Sequence, residues 1–273
     1  MPHYICTTCG VQFAERAAPP AACPICEDER QFVGRQGQAW TLPDALRRSH
    51  RHVLRAEEPD LLGIGMEPAF AIGQRALLVR TPAGNVLWDC ISLLDDGVVQ
   101  AVGAMGGLAA VAISHPHFYA SMVDWSRAFG RVPIYLHAAD RAHVMRPDPA
   151  IEFWDGERCA LPGGLTLLRC GGHFAGSAAL HWPAGAGGRG VLLTGDTIQS
   201  VPDPRAVSFM YSYPNYIPLP AETVARIAAA VEPLAFDRIY GGWFDRTVPG
   251  DAKAVVARSA ARYVRALRSS IRS

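Results

Sequence analysis

Histidine and aspartate residues follow three apolar segments of this 273-residue chain, and side chains of these types bind metal ions. His115 and His117 come directly after the apolar segment 108–114. One residue separates them, so in an extended loop both imidazoles lie on one side. His173 lies in a glycine-rich loop between two predicted strands, and Asp196 ends an apolar strand. Three imidazoles and a carboxylate can hold one Zn2+ or Fe2+ ion with a position open for water, so these residues predict a metal centre.

Four of the seven cysteines form two C-x2-C pairs near the start of the chain, Cys6 with Cys9 and Cys23 with Cys26. This ligand count and spacing predict a tetrathiolate site for structural zinc, with iron as an alternative. Two disulfides are the other interpretation, which a cytoplasmic location disfavours. About 35 residues cannot bury enough surface to fold alone, so we expect the metal to fold this segment. The other cysteines are expected in the apolar core: Cys90, Cys159 and Cys170.

The elements that position these residues follow from the hydrophobic pattern. We predict a zinc-ribbon-like knuckle over residues 1–35, a linker over 36–59 with a helix over 42–55, and one large domain over 60–273. In this domain, strand hairpins followed by strand–helix alternation occur twice, which predicts an α/β fold with two mixed sheets packed together and helices outside. The predicted strands cover residues 61–66, 71–80, 86–90, 108–114, 133–137, 165–169, 178–182, 191–194 and 238–240. The predicted helices cover residues 98–105, 118–129, 138–145, 221–231 and 251–267.

Over about residues 60 to 273, the chain resembles the metallo-β-lactamase superfamily. The resemblance implies an αββα four-layer sandwich with metal at one edge of the two sheets. The N-terminal segment resembles a zinc ribbon or a short rubredoxin-like knuckle. The large-domain resemblance rests on four motifs: Trp88-Asp89-Cys90, Ser114-His115-Pro116-His117, Gly172-His173 through Gly176-Ser177, and Gly195-Asp196.

Three positions depart from the family pattern. The signature's aspartate falls on Tyr119 and its last histidine on Ala120, and the late histidine falls on a segment that contains Trp243 but no histidine. Tyrosine is a poor ligand at neutral pH, and alanine and tryptophan supply none. We therefore expect the family's second metal site to be lost and a single ion to remain.

The resemblance implies a hydrolase in which the metal activates water against an ester, thioester or amide bond. Asp196 either completes the coordination or orients the water and takes its proton, as a catalytic base does. We expect Asp89 to support the site by accepting the free N–H of a ligand histidine. Four aromatic residues are expected to shape the substrate pocket, and one of them, Tyr119, is a candidate proton donor: Tyr119, Tyr211, Tyr213 and Trp243.

Two other functions stay open. One is a binding or regulatory protein that has kept the fold without the chemistry and recruits a protein partner through the knuckle. The other is a mononuclear iron enzyme that resembles a dioxygenase. We expect a small-molecule substrate and no nucleic-acid partner, because the net charge is only +1 and no basic patch accompanies the knuckle beyond the linker and the last helix. The absence of a signal peptide and of an apolar run long enough to span a bilayer predicts a cytoplasmic protein.

Overall fold

The computed structural model describes residues 1–268, in which two mixed β-sheets lie face to face between outer layers of helices. Apolar side chains of both sheets share one buried cluster, which joins Leu77 and Trp88 of the first sheet to Leu180 and Leu193 of the second. The predicted α/β fold, an αββα sandwich of four layers, is therefore confirmed.

The strands and helices have the following bounds. The strands are β1 (Ile5–Cys6), β2 (Trp40–Thr41), β3 (Arg51–Glu58), β4 (Leu61–Glu67), β5 (Ala76–Val79), β6 (Val86–Trp88), β7 (Ala110–Ala112), β8 (Ile134–His137), β9 (Ile151–Trp154), β10 (Arg158–Ala160), β11 (Thr166–Arg169), β12 (Ala178–Trp182), β13 (Val191–Leu193), β14 (Gln199–Ser200), β15 (Val207–Ser208), β16 (Met210–Ser212), β17 (Ile217–Pro218), β18 (Arg238–Tyr240) and β19 (Thr247–Val248). The helices are α1 (Pro24–Glu27), α2 (Pro43–Ser49), α3 (Asp96–Ala104), α4 (Met122–Ala128), α5 (Gly185–Gly188), α6 (Ala221–Val231) and α7 (Ala252–Arg268). No helix within residues 1–268 is long and apolar enough to cross a membrane.

The two sheets share one plan. The first pairs β3 to β9 in sequence order, and the second has the order β10-β11-β12-β13-β18-β19. Each sheet starts with four antiparallel strands and then adds a parallel neighbour, β7 beside β6 in the first sheet and β18 beside β13 in the second. The hairpins followed by strand–helix alternation that the sequence predicts twice are therefore present.

Alternation along the strands divides the apolar side chains between the layers. Leu77 and Val79 of β5 point into the cluster between the sheets, whereas Ala76 and Leu78 point to the outer face. Helices α3 and α4 cover that outer face, and α6 and α7 cover the outer face of the second sheet. At one edge of the sandwich the sheets are joined directly, because the backbone N–H of Ala178 donates to the carbonyl of Ser114 at 2.9 Å.

The four-cysteine segment packs on the outer face of the first sheet. Its cysteines and the neighbouring Val11 and Phe13 belong to the same buried cluster as Leu78 and Val111. β1 of the segment pairs with β2, in the residues that follow it, and the ring of Trp40 contacts Phe13 edge-on at 5.0 Å between centroids. The knuckle is therefore built into the core of the large domain.

Several predicted elements differ from the structure. Within the predicted helix over residues 42–55, α2 ends at Ser49, and Arg51–Glu58 instead forms β3, whose backbone pairs with β4. Residues 51–58 are thus an edge strand of the first sheet and are not part of a linker. β9 and β10 were not predicted, and the predicted helix over residues 138–145 is a 3-10 helix over Ala138–His143.

Candidate metal centre

Three segments deliver His115, His117, His173 and Asp196 to one edge of the sandwich. The two histidines of the first segment follow β7, and Asp196 follows β13. His173 lies between β11 and β12, and the end of β11 reaches the same edge because β11 and β13 are both antiparallel to β12. One ligand atom from each of the four residues lies within 4.8 Å of all the others. The sequence-predicted convergence of these residues is therefore present.

The distances between the ligand atoms fit one tetrahedral ion. Nε2 of His173 lies 3.1 Å from Nδ1 of His117, and Oδ2 of Asp196 lies 3.5 Å from Nε2 of His115 and 3.9 Å from Nε2 of His173. Two ligands at the Zn–N bond length of about 2.0–2.1 Å in a tetrahedral site are about 3.3 Å apart. The four side chains are thus spaced as zinc ligands are.

Burial leaves polar atoms of this cluster without partners. Within residues 1–268, Nε2 of His115, Nε2 of His117 and Oδ1 of Asp196 are buried and make no hydrogen bond. Burial and the neighbouring histidines hold the pKa of His117 well below its usual range, and burial lowers the pKa of His173 to about 3. Neutral imidazoles keep a lone pair for a metal, and an ion in the cluster would satisfy the unpaired Nε2 of His115, which lies 3.5 Å from Oδ2 of Asp196.

Hydrogen bonds outside the cluster set the tautomers of two histidines. Nδ1 of His173 donates to the carbonyl of Tyr211 at 2.7 Å, which leaves Nε2 free for the cluster. Nδ1 of His115 donates to Oγ of Ser114 at 2.8 Å, and Ser114 in turn donates to Asp89 through both its hydroxyl, at 2.7 Å, and its backbone N–H, at 2.8 Å. Such bonds fix the ring orientation of ligand histidines.

Asp89 supports the site by a route other than the predicted one. We expected its carboxylate to accept directly from a ligand histidine, but Ser114 lies between Asp89 and His115. Asp89 directly follows β6 with a positive φ of 60°, a conformation that aspartate tolerates, and burial raises its pKa to about 7. A side chain on Gly195 would collide with the Ser114 hydroxyl, so glycine before Asp196 is required for this relay.

A cleft of about 310 Å³ opens beside the cluster and contains two of the four predicted pocket residues. The Tyr213 hydroxyl donates to the backbone carbonyl of Asp196 at 2.8 Å, and the indole of Trp243 donates to the carbonyl of Ile72 at 2.8 Å. The cleft is lined by Thr8, Arg30, Gln31, Phe32, Ala71, Ile72, His117, His173, Asp196, Gln199, Tyr213, Pro214 and Trp243.

The other two predicted pocket residues do not line this cleft. Tyr119 is only 2% exposed and packs in the core on the far side of the 3-10 turn Pro116–Phe118, which carries its side chain away from the cluster. Burial raises its pKa well above the usual value. Tyr211 contributes its backbone carbonyl to His173 and places its ring near Arg30, 5.4 Å from the guanidinium carbon.

The four cysteines form a second, separate cluster. Sγ of Cys6 lies 3.6 Å from that of Cys26, and Sγ of Cys9 lies 3.7 Å from that of Cys23. A disulfide needs about 2.05 Å, whereas ligands at the Zn–S distance of about 2.3 Å in a tetrahedron are about 3.8 Å apart. The cysteines are free thiols at the spacing of a tetrathiolate metal site. Hydrogen bonds from Cys23 and the other two cysteines hold the pKa of Cys6 well below its usual value.

The sequence of this chain is similar to that of one curated protein. No family model matches the chain. A Bacillus subtilis (strain 168) protein described as "Uncharacterized protein YmaE" is 49% identical over 273 residues, which cover 99% of each chain. The chain belongs to the YmaE family.

Solved structures show the fold of this YmaE-family chain. The DIM-1 metallo-β-lactamase aligns with a TM-score of 0.59 at 14% identity, covering 79% of this chain and 98% of that one. A metallo-β-lactamase from Pontibacter korlensis aligns with a TM-score of 0.54 at 13% identity, covering 78% and 99%. A B3 metallo-β-lactamase with an active-site glutamic acid aligns with a TM-score of 0.52 at 14% identity, covering 84% and 97%. The fold is that of the metallo-β-lactamases.

Sequence analysis of this YmaE-family chain missed several residues at the site. Ser114 mediates between Asp89 and His115, and its position immediately before His115 was the available signal. Asp140 accepts the backbone N–H of Gly176 at 2.8 Å and so braces the loop that carries His173. Thr8, Arg30, Gln31 and Phe32 bring the four-cysteine segment into the cleft, and no sequence pattern indicated this contact.

Proposed function

We propose that this protein is a metal-dependent hydrolase that acts on an ester, thioester or amide, with one catalytic ion held by His115, His117 and His173. Asp196 either completes the coordination or accepts the proton of the metal-bound water. The observation that carries the proposal is the convergence of these four ligand groups, buried and partly unpaired, beside an open cleft. We also propose that zinc is the ion, because three imidazoles with an open position suit Zn2+.

His115, His117 and His173 would hold the ion, and the chemistry that a divalent ion would supply here is activation of water at neutral pH and polarisation of a carbonyl. The protein's own residues hold and orient the side chains of the site. The imidazoles of His173 and His115 are fixed by Tyr211 and Ser114, and Oδ1 of Asp196 is unpaired and available to accept the proton of an attacking water. The Tyr213 hydroxyl is already engaged with the backbone of Asp196, so Tyr213 positions this residue.

A single catalytic ion is proposed because of the metal-ligating groups that the protein places near the site. Within residues 1–268, the groups able to hold a metal are the histidine–aspartate cluster and the cysteine cluster. Tyr119 is buried in the core, and Ala120 and Trp243 carry no ligand atom that suits a metal. For the cysteine cluster we propose a structural zinc that closes the segment.

Metal analysis combined with activity tests this function. We expect about two zinc ions per purified chain, one lost in His117→Ala and the other in Cys23→Ser. Hydrolysis of p-nitrophenyl acetate, an acyl thioester and a chromogenic anilide is then compared between wild type and His117→Ala, with His50→Ala, at a half-buried histidine outside both clusters, as the control.

Iron at the histidines with oxygen consumption favours the dioxygenase-like function, whose ligand set of two histidines and one carboxylate is also present. Zinc at the cysteines alone, with none at the histidines, overturns the hydrolase and favours a binding protein that recruits a partner through the knuckle.

A further inference from the structure

The four-cysteine segment reaches the candidate metal centre through residues 28–32, directly after α1. Nη1 of Arg30 donates to the backbone carbonyl of His173 at 3.2 Å. The Arg30 guanidinium also lies over the ring of Phe174, 3.9 Å from its centroid. A ligand histidine of one cluster and the chain that follows the cysteines of the other are therefore in direct contact.

The hairpin of β16 and β17 holds the same two parts together. Its Tyr211 carbonyl accepts from His173, while Nδ2 of Asn215 donates to the carbonyls of Glu29 at 2.7 Å and Gln31 at 3.0 Å. The wall made by residues 30–32 is thus fixed relative to His173 by side chain and backbone alike. It forms one side of the cleft, where Gln31 is buried and Phe32 is exposed.

Arg30 is a cation on this wall with hydrogen-bonding capacity to spare. Its Nε and Nη2 donate to Asp28 at 2.6 and 2.5 Å, and Nη1 donates to His173. These bonds use three of its five N–H groups, and the other two have no partner within residues 1–268. The side chain remains 15% exposed and lines the cleft.

We propose that the four-cysteine segment forms one wall of the active site. On this wall, Arg30 binds an anionic group of the substrate, which is a carboxylate or a group of similar shape. The inference rests on the proposed function, since it takes the reacting carbonyl to be held at the histidine–aspartate cluster. Arg30 and Asp196 are the charged side chains lining the cleft, and a divalent ion leaves the cleft positive even with Asp28 counted. The planar guanidinium suits a carboxylate, which it binds through paired N–H groups.

The test compares two thiols that differ in charge, mercaptoacetate and 2-mercaptoethanol. Mercaptoacetic acid is bound in a solved structure of the SMB-1 metallo-β-lactamase, which has this fold with a TM-score of 0.51. Affinities are measured by calorimetry on the full, zinc-loaded chain, after metal analysis has shown both sites to be filled. The variants are Arg30→Gln and the charge-preserving Arg30→Lys, with Arg35→Gln, an exposed arginine of the same segment, as the matched control.

We expect Arg30→Gln to lower the preference for mercaptoacetate over 2-mercaptoethanol by about tenfold, the effect of losing a hydrogen bond to a charged group. Arg30→Lys retains part of the preference, and Arg35→Gln retains all of it. If Arg30→Gln weakens the binding of both thiols equally, the proposal is overturned, because Arg30 would then act only by holding the backbone of His173 in place.

The remaining outcomes separate the inference from the proposed function. A wild-type chain that binds both thiols while Arg30→Gln leaves their ratio unchanged refutes the role of Arg30 alone. A wild-type chain with zinc at the cysteines and none at the histidines refutes the hydrolase and, with it, this inference. If Arg30→Gln does not fold, the affinity ratio of the two thiols in Arg30→Lys decides the matter. Complete loss of the preference for mercaptoacetate in this folded, zinc-loaded variant would contradict binding through charge.

Discussion

The two candidate metal-binding clusters of this protein differ in what surrounds them. The four cysteine side chains are at most 1% exposed and lie within an apolar core, and none of them lines the cleft beside the histidine–aspartate cluster. The histidine–aspartate cluster is equally buried, but it borders an open cleft and keeps unpaired polar atoms. A site that is closed on all sides can serve stability, whereas a site with an accessible face can serve chemistry. The two clusters should therefore respond differently to substitution.

The largest effect should follow loss of the cysteine site. Small thiolate sites gain about 10 kcal/mol or more of folding free energy from zinc, which is comparable with the whole stability of a domain. In Cys23→Ser/Cys26→Ser, we expect the midpoint of thermal unfolding to fall by at least about 10 °C. Cys159→Ser, at a half-buried cysteine outside the cluster, is the control and should shift it by no more than about 2 °C. An unchanged midpoint in the double variant would refute a structural role for the cysteines.

The histidine site should show the opposite pattern, with a large effect on activity and a small one on stability. His117→Ala removes a ligand, and we expect hydrolysis to fall by about 10³-fold. With zinc kept at the cysteines and absent from the histidines, the free energy of unfolding should change by no more than about 1 kcal/mol, because the substitution also removes a buried, unpaired nitrogen. Denaturant titration of protein in that metal state, checked by metal analysis, and initial rates with zinc at both sites measure the two effects. A large loss of stability with unchanged rates would reverse the roles that we assign to the clusters.

A pH series on protein with zinc at the cysteines and none at the histidines should reveal the free-energy cost of keeping His173 neutral. The pKa of His173 is about 3 in the folded protein, against an ordinary value of about 6.5. Below pH 6.5 the unfolded chain binds a proton that the folded chain does not, so stability falls as pH falls, by about 2 kcal/mol at pH 5 from this residue. The buried Asp89, with its raised pKa, acts in the opposite direction. The quantity to measure is therefore the free energy of unfolding of wild type minus that of His173→Gln, which should fall by about 2 kcal/mol between pH 7 and pH 5 and would stay constant if the pKa of His173 were the same in the folded and unfolded chains.

The smallest effect concerns the support of His115 through Ser114. Asp89→Asn keeps an acceptor for Ser114 but removes the charge, and we expect zinc affinity at the histidine site to fall by about tenfold. Asp60→Asn, at an exposed aspartate, should leave the affinity unchanged. Competition with a chromophoric chelator measures both variants. Equal affinity in all three proteins would show that Asp89 serves only the turn after β6.

The candidate ligands could be predicted from the sequence because their signals are local. The histidines and Asp196 follow apolar strands, and the spacing of neighbouring ligands along the chain is itself typical of metal sites. His115 and His117 are separated by one residue, and the two C-x2-C pairs have the spacing of known sites. The two-sheet fold was predictable for a similar reason, since β12, α6 and β18 match their predicted ranges.

Features that depend on backbone direction or on tertiary contact were not predictable. Tyr119 stands at a family ligand position, but the turn after His115 directs it into the core. β3 was mistaken for helix because its stability comes from pairing with β4, which a local pattern does not report. The contact of Arg30 with His173 joins residues 143 positions apart, so only the folded chain reveals it.

The most direct test of the central claim is anomalous diffraction from crystals of the zinc-loaded protein. We expect one zinc peak among the four cysteine sulfurs and one bonded to His115, His117 and His173 at about 2.0–2.1 Å. The absence of a peak among these histidines would contradict the account, and a second peak about 3.5–4 Å from the first would contradict a single catalytic ion.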